Sequence, residues 1–213
     1  MPVMFGQVGF SPTVGQAQGA NPALATGPQG ELLTAEVRGK YASATRAGNV
    51  FSLATAVAGV TIPVQATNVA STFSLWNPNT STKNVELISL ALGITNATTV
   101  VADIGLYYQS GLTSPGGTLT ALTIRNTNLG STAIGSVCTG YSANTLVSTT
   151  GTNLFRLCTL TSFGAVTTTN AGPIKVEFDG KIIMPPGSLV TVLGSAAQTQ
   201  AMCLDLIFAE WPL

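Results

Sequence analysis

Apolar and polar side chains in this chain recur with a period of two, not the 3.6 of a helix. Leu33, Ala35 and Val37 alternate with Thr34, Glu36 and Arg38, as in a strand with one buried face. Residues 41–45 and 50–55 flank Arg46, Ala47, Gly48 and Asn49 and predict a hairpin. Residues 60–64 read as a strand end or an edge, because Pro63 has no N–H to give to a ladder. Residues 72–76 form a strand closed by Asn77, Pro78 and Asn79. Residues 85–95 are apolar in both phases, which predicts an interior strand buried on both sides. Residues 100–108 are its expected partner, across a turn at 96–99. Further strands are expected at 119–125, 133–139 and 154–160. Asp179-Gly180 predicts a two-residue hairpin turn joining 174–178 to 181–184. Pro185, Pro186 and Gly187 then turn the chain into 188–193, and 201–211 is the last strand. The Asn-, Thr- and Ser-rich stretches 126–132, 141–153 and 167–170 read as surface loops. No window carries a capped amphipathic helix. About ten short strands with turn chemistry between them predict an all-β, antiparallel β-sandwich, most simply a jelly roll, over residues 31–213.

Residues 1–30 follow no such period. They contain no charged side chain and are rich in Gly, Pro, Gln and Ala, a composition of extended chain. An isolated segment of this kind buries too little to offset about 1–2 kcal/mol of backbone entropy per residue. It is therefore expected to be an arm held by a neighbouring subunit, with Met4, Phe5, Phe10 and Leu24 as its apolar anchors.

Composition sharpens this picture. Charged residues make up 8% of the 213 positions, and eight basic residues balance eight acidic ones, against roughly 25% charged in ordinary soluble domains. Apolar residues reach 45%, so the chain can fill a core and falls outside the disordered class. No apolar run approaches the roughly 18 residues that a membrane helix needs. Neutral, charge-poor surfaces lose the usual protection against self-association. The expectation is a permanent homo-oligomer that buries much of its exterior. The scattered basic residues from Arg38 to Lys181 cannot make the dense cationic patch that phosphate binding requires, so nucleic acid is not an expected partner.

Candidate chemistry is sparse. The chain has no histidine, which removes Ser-His-Asp and Cys-His nucleophile systems and the side chain most often tuned near neutrality. Glu177 and Asp179 stand two apart on one strand and are the best local carboxylate pair for a glycosidase, but Asp179 suits the turn itself. Nothing resembles a clustered calcium loop or a phosphate loop. Cys138, Cys158 and Cys203 are too scattered for a disulfide framework or a metal site and read as small core residues. No catalytic residue, metal ligand or cofactor is expected. Residues 1–9 lack the charged and apolar regions of a secretory signal, and the sequons at Asn79 and Asn96 are ordinary in so Thr-rich a chain. Trp76 and Trp211 are weighed as interface or core residues against sugar-stacking ones. Trp76 at a strand rim, together with Tyr141, is the candidate for glycan or interface contact.

Residues 73–79 (FSLWNPN), the run 85–93 (VELISLALG) and 183–192 (IMPPGSLVTV) resemble a pattern in structural proteins of tailed bacteriophages. The resemblance spans roughly residues 70–210. It implies a jelly-roll module of the decoration-protein, head-fibre or knob kind, often trimeric, with partners such as the major capsid protein. The implied location is the virion, assembled in the host cytoplasm. The leading expectation is a non-enzymatic decoration or minor capsid subunit. The alternatives are a receptor- or glycan-binding knob on a fibre or tail and, more remotely, a glycan hydrolase.

Overall fold

The computed structural model describes residues 40–65, 70–95, 101–129, 135–145, 154–163, 173–196 and 198–213. The chain divides into two units, Met1–Ala47 and Gly48–Leu213. The arm at 1–30, its four anchors and the expected strand at 33–38 lie outside the described residues.

In the first unit the described element is a single helical turn, α1 (Ala42–Arg46). This corrects the strand expected over 41–45 and its hairpin with 50–55. The segment is Ala-Ser-Ala-Thr-Arg, small and without a β-branched run, and alanine is the best helix former. Thr45 N and Ala47 N close the turn on the Tyr41 and Ser43 carbonyls.

The second unit is built from strands in two packed antiparallel sheets, a β-sandwich. The first sheet contains β1 (Val50–Ala54), β2 (Val60–Thr61), β5 (Lys83–Ile94), β8 (Ile124–Asn126), β11 (Ile174–Met184) and β13 (Ala201–Pro212). Its order is β11-β5-β13-β1-β8, with β2 also on β13. The second contains β3 (Ala70–Ser71), β4 (Ser74–Asn77), β6 (Ala102–Gln109), β7 (Gly116–Leu122), β9 (Thr139–Thr145), β10 (Phe155–Phe163) and β12 (Ser188–Gly194). Its order is β10-β6-β12-β4-β9-β3, with β7 also on β9.

Eight of these strands pair in a nested series. The outermost, β1 and β13, pair with each other, as do β4 with β12, β5 with β11 and β6 with β10. Additional ladders of β13 on β5 and β12 on β6 join the pairs into sheets. The core lies between the sheets and includes Phe51, Leu75, Leu90, Leu106, Val192 and Phe208. Phe51 and Phe208 stack with ring centroids 5.7 Å apart. Period-two burial is cleanest on β13, where Met202, Leu204, Leu206 and Phe208 all point inward, as an amphipathic strand requires.

Nesting explains where the sequence reading went astray. β5 is an interior strand, as its two-phase apolarity implies, but its partners are β11 and β13. The expected partner at 100–108 became β6, which crosses to the other sheet and pairs with β10 and β12. The Asp179-Gly180 hairpin is also corrected. Glu177 faces Ser89 and Ile182 faces Leu87 on the same partner, so β11 runs on as one strand and residues 178–181 bulge opposite Ile88. Positive φ at Asp179 (51°) and Gly180 (77°) serves a bulge as well as a hairpin. The strand expected over 119–125 is split, β7 pairing with β9 and β8 with β1. Residues 135–138 are not strand, and the loop expected from 141 begins instead as β9.

Candidate functional site

The two outer faces of the sandwich differ in what they leave accessible. On the second sheet, Leu189, Leu193 and Tyr107 form a small cluster with Trp76, Leu112 and Leu154 packed against it. Thr191 and Ser74 beside them are buried too. Thr191 Oγ1 donates to the Phe73 carbonyl at 2.8 Å and lies 2.5 Å from Ser71 Oγ, and Ser74 Oγ donates to Asn144 Oδ1 at 2.6 Å.

The first sheet presents a flatter, barer surface. Its registers align one row of residues across all five strands. Arg125 on β8 faces Ser52 on β1, Ser52 faces Ile207 on β13, Ile207 faces Ser89 on β5, and Ser89 faces Glu177 on β11. The next row is Ala54, Asp205, Ala91 and Lys175. Side chains between the flanking charges are mostly small, so the face is shallow. Two hollows of about 310 and 330 Å³ open on it and share Ser52, Ala54, Thr55 and Ala56. Ser52 Oγ donates to Asp205 Oδ1 at 2.8 Å. Lys175 Nζ and Glu177 Oε1 are 2.5 Å apart, both about half exposed.

At the end of the same face, Trp211 Nε1 donates to Glu86 Oε2 at 2.7 Å. Ile183, opposite Glu86 on β11, is 60% exposed. The Asp179-Gly180 bulge closes over Glu86, and a Cβ at Gly180 would collide with Glu86 Oε1. Across the same sheet, facing inward, Glu210 is fully buried. Lys83 Nζ lies 3.0 Å from Glu210 Oε2, and Ser136 Oγ and Val137 N donate to Oε1 at 2.5 and 3.0 Å. Burial, and secondarily the Glu210 charge, pushes the neighbouring Cys138 thiol well above the ordinary range. Burial raises Cys158 as well.

The sequence-derived candidates fall apart from one another. Trp76 is half-buried in the cluster on the second sheet, with its Nε1 enclosed and unpartnered. Tyr141 is buried in β9 at 7% exposure. Trp211, weighed beside Trp76 but not selected, is the more accessible indole at 37%. Glu177 stands in the flat row, and Asp179 sits in the bulge at positive φ. Glu86 and Glu210 occupy adjacent strands but opposite faces. Among the described residues, no three His, Cys, Asp or Glu side chains gather as metal ligands.

No protein-family model matches this chain, and neither any curated protein nor any solved structure matches it significantly. What the described residues offer is a shallow outer face on the first sheet, flanked by Arg125 on β8 and by Lys175 and Glu177 on β11.

Proposed function

We propose that this chain is a non-enzymatic structural subunit of a tailed-bacteriophage particle, a capsid decoration or minor capsid protein with a jelly-roll body. The nested pairing of eight strands carries the reading. Pairing first with last, second with seventh, third with sixth and fourth with fifth is the order of a long hairpin rolled into two four-stranded sheets, as in a jelly roll. In this reading β7, β8 and β9 are an insertion between the fourth and fifth strands of the roll. Scarcity of charge supports the self-assembling part of the proposal. The body would pack as a closed oligomer, with a trimer favoured, and residues 1–30 would grip neighbouring subunits or the major capsid protein.

The tests are mass and incorporation. Light scattering of the purified chain should give a mass of at least twice 21.7 kDa, with three times that mass favoured. A chain lacking residues 2–28 should fold yet fail to enter particles. A dilute monomer, or normal incorporation of the truncated chain, would overturn the corresponding part. Exposed Trp211 favours a second reading, a glycan- or receptor-binding knob, which a glycan array and Trp211→Ala would separate from the first.

A further inference from the structure

The edges of the sandwich are poorly suited to adding a strand from another molecule. β11 carries Lys175, Glu177, Asp179 and Lys181, four of the sixteen charged residues in the chain, and a bulge of four residues opposite one. β10 is bulged twice, between Arg156 and Cys158 and between Thr159 and Thr161. β7 is bulged between Gly116 and Thr120, and β8 is three residues long. Charges, bulges and short strands are the devices by which sheet edges avoid pairing. Association is left to a face, and the outer face of the first sheet is the barer of the two.

We infer that this face is a self-complementary interface on which a second copy of the chain packs through a two-fold axis running along β13. The inference rests on the self-assembling reading above, but a two-fold contact closes as a dimer, or joins two trimers face to face, and does not itself build the favoured trimer. β13 is the middle of five strands, so such an axis exchanges the β8 and β11 sides of the face. Each Arg125 then meets the other copy's Glu177, at the two ends of the row Arg125–Ser52–Ile207–Ser89–Glu177. The opposite charges terminate a row that is otherwise small or apolar, as a face that meets its own copy requires. Within one chain the two charges are separated by four strand spacings, about 19 Å, too far to pair; Glu177 instead meets Lys175, an exposed pair that leaves its second carboxylate oxygen for the other copy's Arg125. Ser52, Ala54, Ser89 and Ala91 keep the face low enough for stacking at the usual sheet separation of about 10 Å. From Cys203 to Trp211 the face runs about 27 Å along the strand. At about 19 Å wide, that is at most roughly 500 Å² per copy in projection, since Ser89 and Ala209 are already covered within the chain, against the roughly 1,000 Å² total at which specific interfaces begin.

Charge reversal tests this directly, by sedimentation or light scattering of the full chain. Arg125→Glu should weaken association roughly 100-fold by placing like charges together, and Arg125→Glu with Glu177→Arg should restore it. Because the pair cannot form within one chain, rescue reports an intermolecular contact. Asp205 lies on the axis, near its symmetry mate, so Asp205→Asn should tighten association. Far-UV circular dichroism and the unfolding midpoint check that each variant folds; Ala54→Glu, which blocks the same face, replaces any that does not and should also dissociate the oligomer. An oligomer indifferent to Arg125→Glu, or a double reversal without rescue, overturns the inference and leaves the structural-subunit reading standing. A monomeric parent chain overturns both.

Discussion

The outer faces of the two sheets began from similar chemistry and ended differently. β12 is buried at every position from Ser188 to Gly194, whereas β13 alternates half-buried and buried residues along most of its length. The first pattern belongs to a strand covered on both sides and the second to a strand covered on one. A satellite cluster around Leu189 and Leu193 closes the second sheet, and the first keeps Ser52, Ala54 and Ala91 at least partly accessible while Ser89 and Ala209 are buried. Covered outward-facing residues are thus concentrated at the centre of the second sheet, around β12, whereas the centre of the first is only partly covered.

Substitutions can break or sharpen that contrast. The largest loss is expected inside, where Glu210→Ala would strand Lys83 and the donors Ser136 and Val137. Urea unfolding should register a loss of about 3–5 kcal/mol, and Glu210→Gln, which keeps an acceptor, should cost less. Leu193→Ala on the covered face should cost about 2–4 kcal/mol in the same assay; a loss below about 1 would mean that this face is not a packed layer. Thr191→Val, which removes the hydroxyl shared with Ser71 and the Phe73 carbonyl, should cost about 1–3 kcal/mol. Ser52→Ala on the open face gives up a half-exposed bond to Asp205 and should change stability by no more than about 1 kcal/mol. Thiol labelling offers a gentler comparison. At pH 8 Cys203, half-exposed on the open face, should alkylate readily, while Cys138, buried and held as the neutral thiol, should react only on unfolding. Peptide mass spectrometry would distinguish them.

Much of this was legible in the chain. Short apolar runs between turn residues located most of the described strands, β3 and β9 excepted, but residues 201–211 alternate too weakly in sequence to announce that the inward phase of Met202, Leu204, Leu206 and Phe208 extends to Glu210. Other features were hidden for physical reasons. Asp179-Gly180 announces positive φ but does not say whether the chain reverses or bulges, because both need the same backbone. β9, with the sequence Thr-Gly-Tyr-Ser-Ala-Asn-Thr, has too little apolar alternation to stand out from a polar loop. The partners of β5 come from 80 or more residues away, and no local pattern encodes so distant a pairing. The proposed interface was the least legible part. Arg125, Ser52, Ile207, Ser89 and Glu177 are scattered over the chain and become neighbours only through four ladder registers.

Nesting also constrains biosynthesis. The middle strand of the first sheet is made after every other strand of the sandwich, so β1 and β5 must wait for it without their shared neighbour. Closure of that layer therefore waits for β13, and is slowed by the long loops that must close. A nascent chain stalled before residue 201 would expose two unsatisfied ladders to whatever chaperone is at hand.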